Sequence, residues 1–364
     1  MDEEVQITKK QHLIPQLIQK EFSEDKLKVY GIKEIAIKKD NKIEKIKYDI
    51  KNYSIKNIMC KNSCYEFDKL NISKLNEPNA LEKILGNYET QYKSILENIK
   101  KMIKEKKSFK QLKKYIESTA MMYFIIFYLR TYQFILYPNS KNIEQQEQVF
   151  LNLKNKLFDS EYIISMAKTI INNYNLHILE SPKGNFLLSD SYFSTASLDY
   201  KGFYPELSYV SNRDIGLKNI IILIPISANY YIMYTDSNAY KNNYIKVYDK
   251  DIIFYNSIIY RNSYEYTIGK NKEMLEFINK NVPKYMFYSY SCGGYNKREL
   301  WSDINIDKQY YLGNSEGLNP KGFKLYSNKN GNFFIEKPLA LYDKSLNGLK
   351  FISINPNYDK KEQK

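Results

Sequence analysis

The chain has 364 residues, 43% of them hydrophobic, which suffices for a substantial core and excludes an intrinsically disordered protein. Its 55 Lys and Arg against 41 Asp and Glu give a formal charge of +14, which favours phosphates or anionic surfaces, although a composition this rich in Lys, Asn, Ile and Tyr also arises from AT-rich codons. Three cysteines, Cys60, Cys64 and Cys292, form neither a disulfide framework nor a paired Cys-x-x-Cys zinc pattern. The Met-Asp-Glu-Glu start has no basic segment followed by an apolar run, so the expected setting is reducing and cytoplasmic.

Gln11-His12-Leu13-Ile14-Pro15 leads into a short helix over Gln16 to Phe22, because Pro15 suits a first helical turn that needs no N–H donor. His12 then stands just ahead of a helix start. Alternation at Leu27 and Val29, and again at Ile46, Tyr48 and Ile50, predicts a small antiparallel unit around a charged turn. From Asn76-Glu77-Pro78 to Lys107, Leu81, Ile84, Leu85, Tyr88, Tyr92, Ile95, Ile99 and Met102 recur at three- and four-residue intervals and predict a long amphipathic helix. Glu82 and Glu89 lie two turns apart on one border of that stripe.

The next corner carries Lys100, Lys101, Lys104, Lys106, Lys107, Lys110, Lys113 and Lys114 against Glu105 alone. It reads either as a phosphate-binding surface or as the solvated tip between two antiparallel helices. Tyr115 to Tyr137 is the most apolar stretch of the chain, with a Ser108/Gln111 capping box ahead of it and Pro138 behind. A helix hydrophobic all round is surrounded by protein or lipid. Its unbroken apolar part, Ala120 to Leu129, is about half of the roughly 20 residues a span requires, and Arg130 would lie at depth. A core helix is therefore expected rather than a membrane span. Tyr123, Arg130, Gln133 and Tyr137 share one stripe on it.

Further helical periodicity runs from Ile143 to Tyr174. Leu176 to Leu179 and Phe186 to Leu188 then flank Glu-Ser-Pro-Lys-Gly-Asn and predict a hairpin, with Ser189-Asp190 directly after its second strand. Asn219 to Ile226 and Tyr230 to Tyr234 predict a second hairpin, and Lys270 to Asn281 a short amphipathic helix. The predicted class is α+β: a helical core around a long central hydrophobic helix, with antiparallel β-hairpins. Residues 8–290 form the main domain, and 291–364 an irregular or strand-rich C-terminal extension.

Gln11-His12-x-x-Pro15 with Phe22, Lys28-Val29-Tyr30, Ile58 with Tyr65, Leu81-Glu82 with Glu89, Leu129-Arg130-Thr131, Leu188-Ser189-Asp190 and Ile222 to Pro225 occur in the order of one bacterial family. From Thr8 to Tyr288 the chain resembles that family, a domain of unknown function marked by an N-terminal His-x-x-Pro and a central Ser-Asp motif. Members usually carry a Pro soon after the Ser-Asp pair, where this chain has Ser191-Tyr192-Phe193. The resemblance implies no established activity.

Five residues are singled out as a catalytic set: His12, Glu82, Glu89, Arg130 and Asp190. A histidine suits proton transfer near neutral pH or metal ligation, and paired carboxylates suit acid–base work or a divalent ion. Arg130 either pairs with Glu82 or Glu89, since an unpaired buried guanidinium is costly, or clamps a phosphate or carboxylate. Asp190 is either a loop-fixing acceptor or a ligand or base. His177 is read as structural. Two functions follow. The first is a hydrolase of nuclease or phosphodiesterase type, defence-related, in which those residues converge, with or without a divalent metal. The second is a noncatalytic nucleic-acid-binding or scaffold protein with a buried Glu–Arg network, in which the lysine corner meets a polyanion.

Overall fold

The computed structural model describes residues 10–39, 42–62, 80–136, 160–197, 210–211, 220–263 and 265–281, together with short strands between 290 and 351. The architecture is α+β. Its centre is a six-stranded sheet in the order β11 (Tyr244–Lys246), β5 (Asn175–Glu180), β10 (Tyr230–Thr235), β9 (Ile220–Pro225), β7 (Ser194–Ser197) and β8 (Val210–Ser211). All neighbours are antiparallel except β11 and β5. The apolar run of β9 is buried at every position, as a strand covered on both faces must be. Each fully buried isoleucine there contributes about 2 kcal/mol of apolar transfer.

Alternation along β10 shows what covers the two faces. Tyr231 points to the side where Phe22 and Phe186 lie, with ring centroids 6.3 and 4.8 Å away. Tyr234 points the other way, towards Glu117, whose charge raises the Tyr234 pKa after burial itself. The N-terminal segment thus covers one face and a helical hairpin the other.

That hairpin consists of α2 (Ala80–Lys104), α3 (Phe109–Tyr115), a π-helical turn (Ile116–Ala120) and α4 (Met121–Leu136). The single hydrophobic helix expected from Tyr115 onward is divided by the π turn. Phe124 to Thr131 are buried, whereas Met122 is exposed. Tyr92 of α2 packs edge-on against Phe124 and Phe127 of α4, at 5.9 and 5.0 Å. At the corner, Lys106 takes a left-handed φ of 51°. The Lys107 N–H reaches Met102 O and the Lys106 N–H reaches Ile103 O, a Schellman stop for α2. Ser108 then caps α3 by accepting the Gln111 N–H at 3.3 Å. α5 (Ser160–Asn173) follows.

A second sheet has the order β3 (Lys42–Ser54), β2 (Lys28–Lys39), β12 (Tyr266–Gly269) and β6 (Leu188–Ser189), antiparallel throughout. The segments 176–179 and 186–188 were expected to form a hairpin, yet β5 and β6 belong to different sheets. The reason is α6 (Asp249–Asn262), a helix with no counterpart in the sequence reading. Its buried Asn256 accepts the Leu187 N–H and donates to Asn185 O, at 3.1 and 2.8 Å, while Tyr231 donates to Leu187 O. Those bonds occupy the backbone groups of the second segment that a hairpin with the first would use.

At the N-terminus a three-residue ladder absent from the sequence expectation pairs β1 (Lys10–His12) with β4 (Cys60–Asn62) ahead of α1 (Gln16–Gln19). The expected amphipathic helix near 270 is α7 (Lys272–Asn281). The strands described between 290 and 351 pair among themselves, as β13 (Tyr290–Ser291) with β14 (Gly294–Tyr295), β15 (Ile304–Leu312) with β16 (Phe323–Asn328) and β17 (Phe333–Ile335), and β18 (Ala340–Asp343) with β19 (Gly348–Phe351). Cys64, Cys292, Pro138, Tyr137 and the 143–159 part of the helical run lie outside the described residues. No helix among the described residues is long and apolar enough to cross a membrane.

Candidate functional site

The β1–β4 ladder sets the position of His12. The neighbouring Leu13 N–H donates to Met59 O at 2.8 Å, and the His12 ring places Nε2 3.1 Å from Ile55 O. A carbonyl only accepts, so Nε2 carries the hydrogen. Burial lowers the His12 pKa most, and Arg130 adds to the lowering; the Ile55 carbonyl and Glu89 act in the opposite direction without cancelling it. The ring is therefore neutral at pH 7.

Beneath it, Arg130 is only 1% exposed. One guanidinium nitrogen donates to Glu89 Oε1 on α2 and the other to the backbone carbonyl of His12. The planar fork reaches the carboxylate and the carbonyl through two separate nitrogens held in fixed, diverging directions. His12, Glu89 and Arg130 are thus brought together, although Arg130 meets the main chain of His12 and not its ring. Glu82 sits half-buried in the first turn of α2, two turns before Glu89.

Thr131, next along α4, shares its single O–H between the carbonyls of Tyr128 and Ser191, each 3.0 Å away. This contact joins the Leu129-Arg130-Thr131 segment to Ser189-Asp190-Ser191. Asp190 is buried, and its Oδ2 accepts the backbone N–H groups of Glu265 and Tyr266 at 2.6 and 2.9 Å. Its own N–H donates to Tyr266 O. Ser191 gives its hydroxyl hydrogen to Asn262 O at 2.7 Å, so the Ser189 hydroxyl, 3.1 Å away, donates to Ser191. The Ser-Asp segment therefore knits β6, β12 and the end of α6 together.

Tyr192 was not among the expected site residues, although it falls in the Ser191-Tyr192-Phe193 stretch where the sequence departs from the expected Pro. It takes a φ of 60°, the left-handed region that a bulky aromatic rarely adopts. Its ring meets Phe127 edge-on at 6.0 Å, and its neighbour Phe193 stacks on Tyr128 at 4.9 Å. The Tyr92 and Tyr192 hydroxyls are buried and make no aligned hydrogen bond, and burial raises both of their pKa values.

The lysine corner divides in two. Lys100 contacts Glu21 and Glu97, Lys101 and Lys107 lie near Glu105, and Lys113 near Glu117. Lys104, Lys106, Lys110 and Lys114 are exposed, with no ion pair among the described residues. Phe109 turns its ring edge-on to Tyr244, 5.8 Å away, and so is spent on packing rather than offered to a base. Cys60 stands opposite His12 in the ladder, and burial raises its thiol pKa. His177 places Nδ1 2.8 Å from Asn242 O. No group of three or more His, Cys, Asp or Glu among the described residues is placed to hold a metal ion.

Residues 10–273 match the family described as a protein of unknown function (DUF4238). The chain belongs to this family. The match covers most of the chain and meets the expectation of a family without assigned function, within slightly narrower limits than Thr8 to Tyr288. No curated protein and no solved structure matches the chain. In this DUF4238 member, the Arg130 junction and the Asp190 clamp both lie inside the matched segment.

Proposed function

We propose that this DUF4238 protein is a noncatalytic, cytoplasmic polyanion-binding protein, in which the polar motif residues hold the fold and the α2–α3 corner contacts nucleic acid. The observation that carries this reading is how the polar groups are spent. Arg130 divides its guanidinium between Glu89 and the His12 carbonyl, and Asp190 accepts two amides through one oxygen. Such groups bind chain to chain. By contrast, Lys104, Lys106, Lys110 and Lys114 face solvent on a protein of +14 charge. With no aromatic platform beside them among the described residues, they suit phosphates rather than bases, which implies salt-dependent and sequence-tolerant binding. The test is fluorescence anisotropy with labelled RNA, single-stranded DNA and duplex DNA. Replacing these four lysines by alanine is expected to abolish most of the binding, and undiminished binding refutes the assignment of the surface.

A second reading is favoured by one observation: a neutral His12 ring whose pKa is lowered by burial, within the electrostatic reach of Glu89 and Arg130. It makes the protein a hydrolase of nuclease or phosphodiesterase type, defence-related, with His12 moving a proton, Glu82, Glu89 and Asp190 serving as acid, base or ligands to a divalent ion, and Arg130 stabilising negative charge. Cleavage of the same three nucleic acids with and without magnesium or manganese decides it. Turnover lost in a folded His12→Ala variant establishes the hydrolase, and the absence of turnover in the wild type on every substrate rejects it.

A further inference from the structure

Of the eight lysines at the corner, Lys100 differs from the rest. Its side chain is only 23% exposed, and the ammonium lies 2.9 Å from Glu21 Oε2 and 3.0 Å from Glu97 Oε1. Burial is the largest single influence on it and disfavours its charge, yet Glu21 and then Glu97 outweigh that and raise its pKa. The two carboxylates are unlike. Glu97 is a neighbour on the same helix, three residues back, and 60% exposed. Glu21 belongs to the N-terminal segment, is 16% exposed, and has its backbone fixed to the central sheet through the Ala228 N–H at 3.0 Å. A carboxylate carried on a rigid foreign element has thus been brought onto the inner lysine of the basic corner.

Lys104 lies one helical turn from Lys100, about 6 Å along the axis, close to the spacing of successive phosphates on a strand. A phosphate chain that engages the exposed lysines at Lys104 therefore reaches Lys100 with its next group. We propose that Glu21 is an internal stand-in for a phosphate, holding Lys100 until the polyanion displaces it and so limiting affinity at the corner. This regulation rests on the polyanion-binding reading above. Its chemistry is an exchange of one anion for another around a fixed ammonium, with no bond made or broken.

The experiment is a salt titration of binding to a short labelled DNA duplex by the 364-residue chain and by its Glu21→Gln variant. The variant is expected to bind about two- to fivefold more tightly, the scale of one partly exposed charge contact, and its log K against log salt slope to steepen by about 0.9, one further phosphate. Glu97→Gln changes the net charge equally on the same ammonium and is expected to move the slope far less. Glu21→Asp keeps the charge but withdraws it by one methylene, giving an intermediate result in a variant that disturbs the fold least. Unchanged affinity and slope in Glu21→Gln, with circular dichroism matching the wild type, overturns the inference while leaving the binding surface intact. An equal rise in Glu97→Gln overturns it too, since general charge then explains the gain. Failure of wild type and variant alike to bind any duplex removes the polyanion reading itself, and the stand-in with it.

Discussion

Arg130 donates to the backbone carbonyl of His12, 118 residues earlier in the chain, while its other nitrogen holds Glu89. One buried side chain thereby fixes α4, α2 and the N-terminal ladder relative to one another. Lysine carries the same charge but cannot fork. Arg130→Lys is expected to lower stability by about 3 kcal/mol, since the shorter-reaching single nitrogen loses the two-pronged contact, and Glu89→Gln by about 2, since the buried guanidinium then lacks its anion. Urea denaturation followed by circular dichroism measures both, and an unchanged midpoint in either contradicts the junction's role.

Asp190, joined to the Arg130 segment through the Thr131 bond to Ser191 O, offers a similar test. Asp190→Ala leaves the Glu265 and Tyr266 amides without their acceptor and is expected to cost about 3 kcal/mol. Asp190→Asn retains an amide oxygen and recovers roughly half of that. Hydrogen exchange should show loss of protection at those two amides in the alanine variant, and protection retained there would show that other bonds hold them.

Two buried tyrosines should respond oppositely to loss of a hydroxyl. Tyr231 donates to Leu187 O, so Tyr231→Phe is expected to destabilise by about 1 kcal/mol. The Tyr192 hydroxyl is buried beside that of Tyr92 with no well-aligned hydrogen bond, so Tyr192→Phe should be neutral or stabilising by up to about 1 kcal/mol. Thermal denaturation ranks them, and the reverse order would contradict the assigned hydrogen bonding.

His12 sets a pH dependence. Its folded pKa lies below 6.5, the ordinary histidine value that the unfolded chain takes. Between those two values the unfolded state binds more protons, so stability falls as the pH drops through 6.5 towards the folded value and is fully present above it. His12→Gln keeps a donor for Ile55 O but cannot titrate. Urea midpoints of the variant should lose this part of the acid sensitivity, and an identical pH profile would remove His12 as its source.

Much of the fold was legible where periodicity was strong. The 3.6-residue stripe from Leu81 to Met102 is α2, and the apolar run at Ile220 to Pro225 is β9, because helical and doubly buried strand patterns show in the sequence directly. The capping of α3 by Ser108 was readable for the same local reason. Long-range bonds were not. Nothing near Leu187 foretells that Asn256 will claim its amide and split the expected hairpin, and nothing near Ser191 announces the left-handed Tyr192. A pairing of Arg130 with Glu82 or Glu89 was readable from the packing of the two helices, which left open that Glu89 is the partner, and the bond to the His12 carbonyl involves a backbone group that no sequence pattern displays.

The most direct test of the central claim replaces the ion pair itself. An apolar pair of similar volume can substitute for a buried salt bridge whose role is architectural. The account predicts that the double variant Arg130→Met/Glu89→Leu, once shown to be folded, binds labelled duplex DNA with wild-type affinity, whereas the four-lysine variant does not. Loss of binding in the folded double variant, with binding retained by the four-lysine variant, would contradict it and move the functional site to the Arg130 junction.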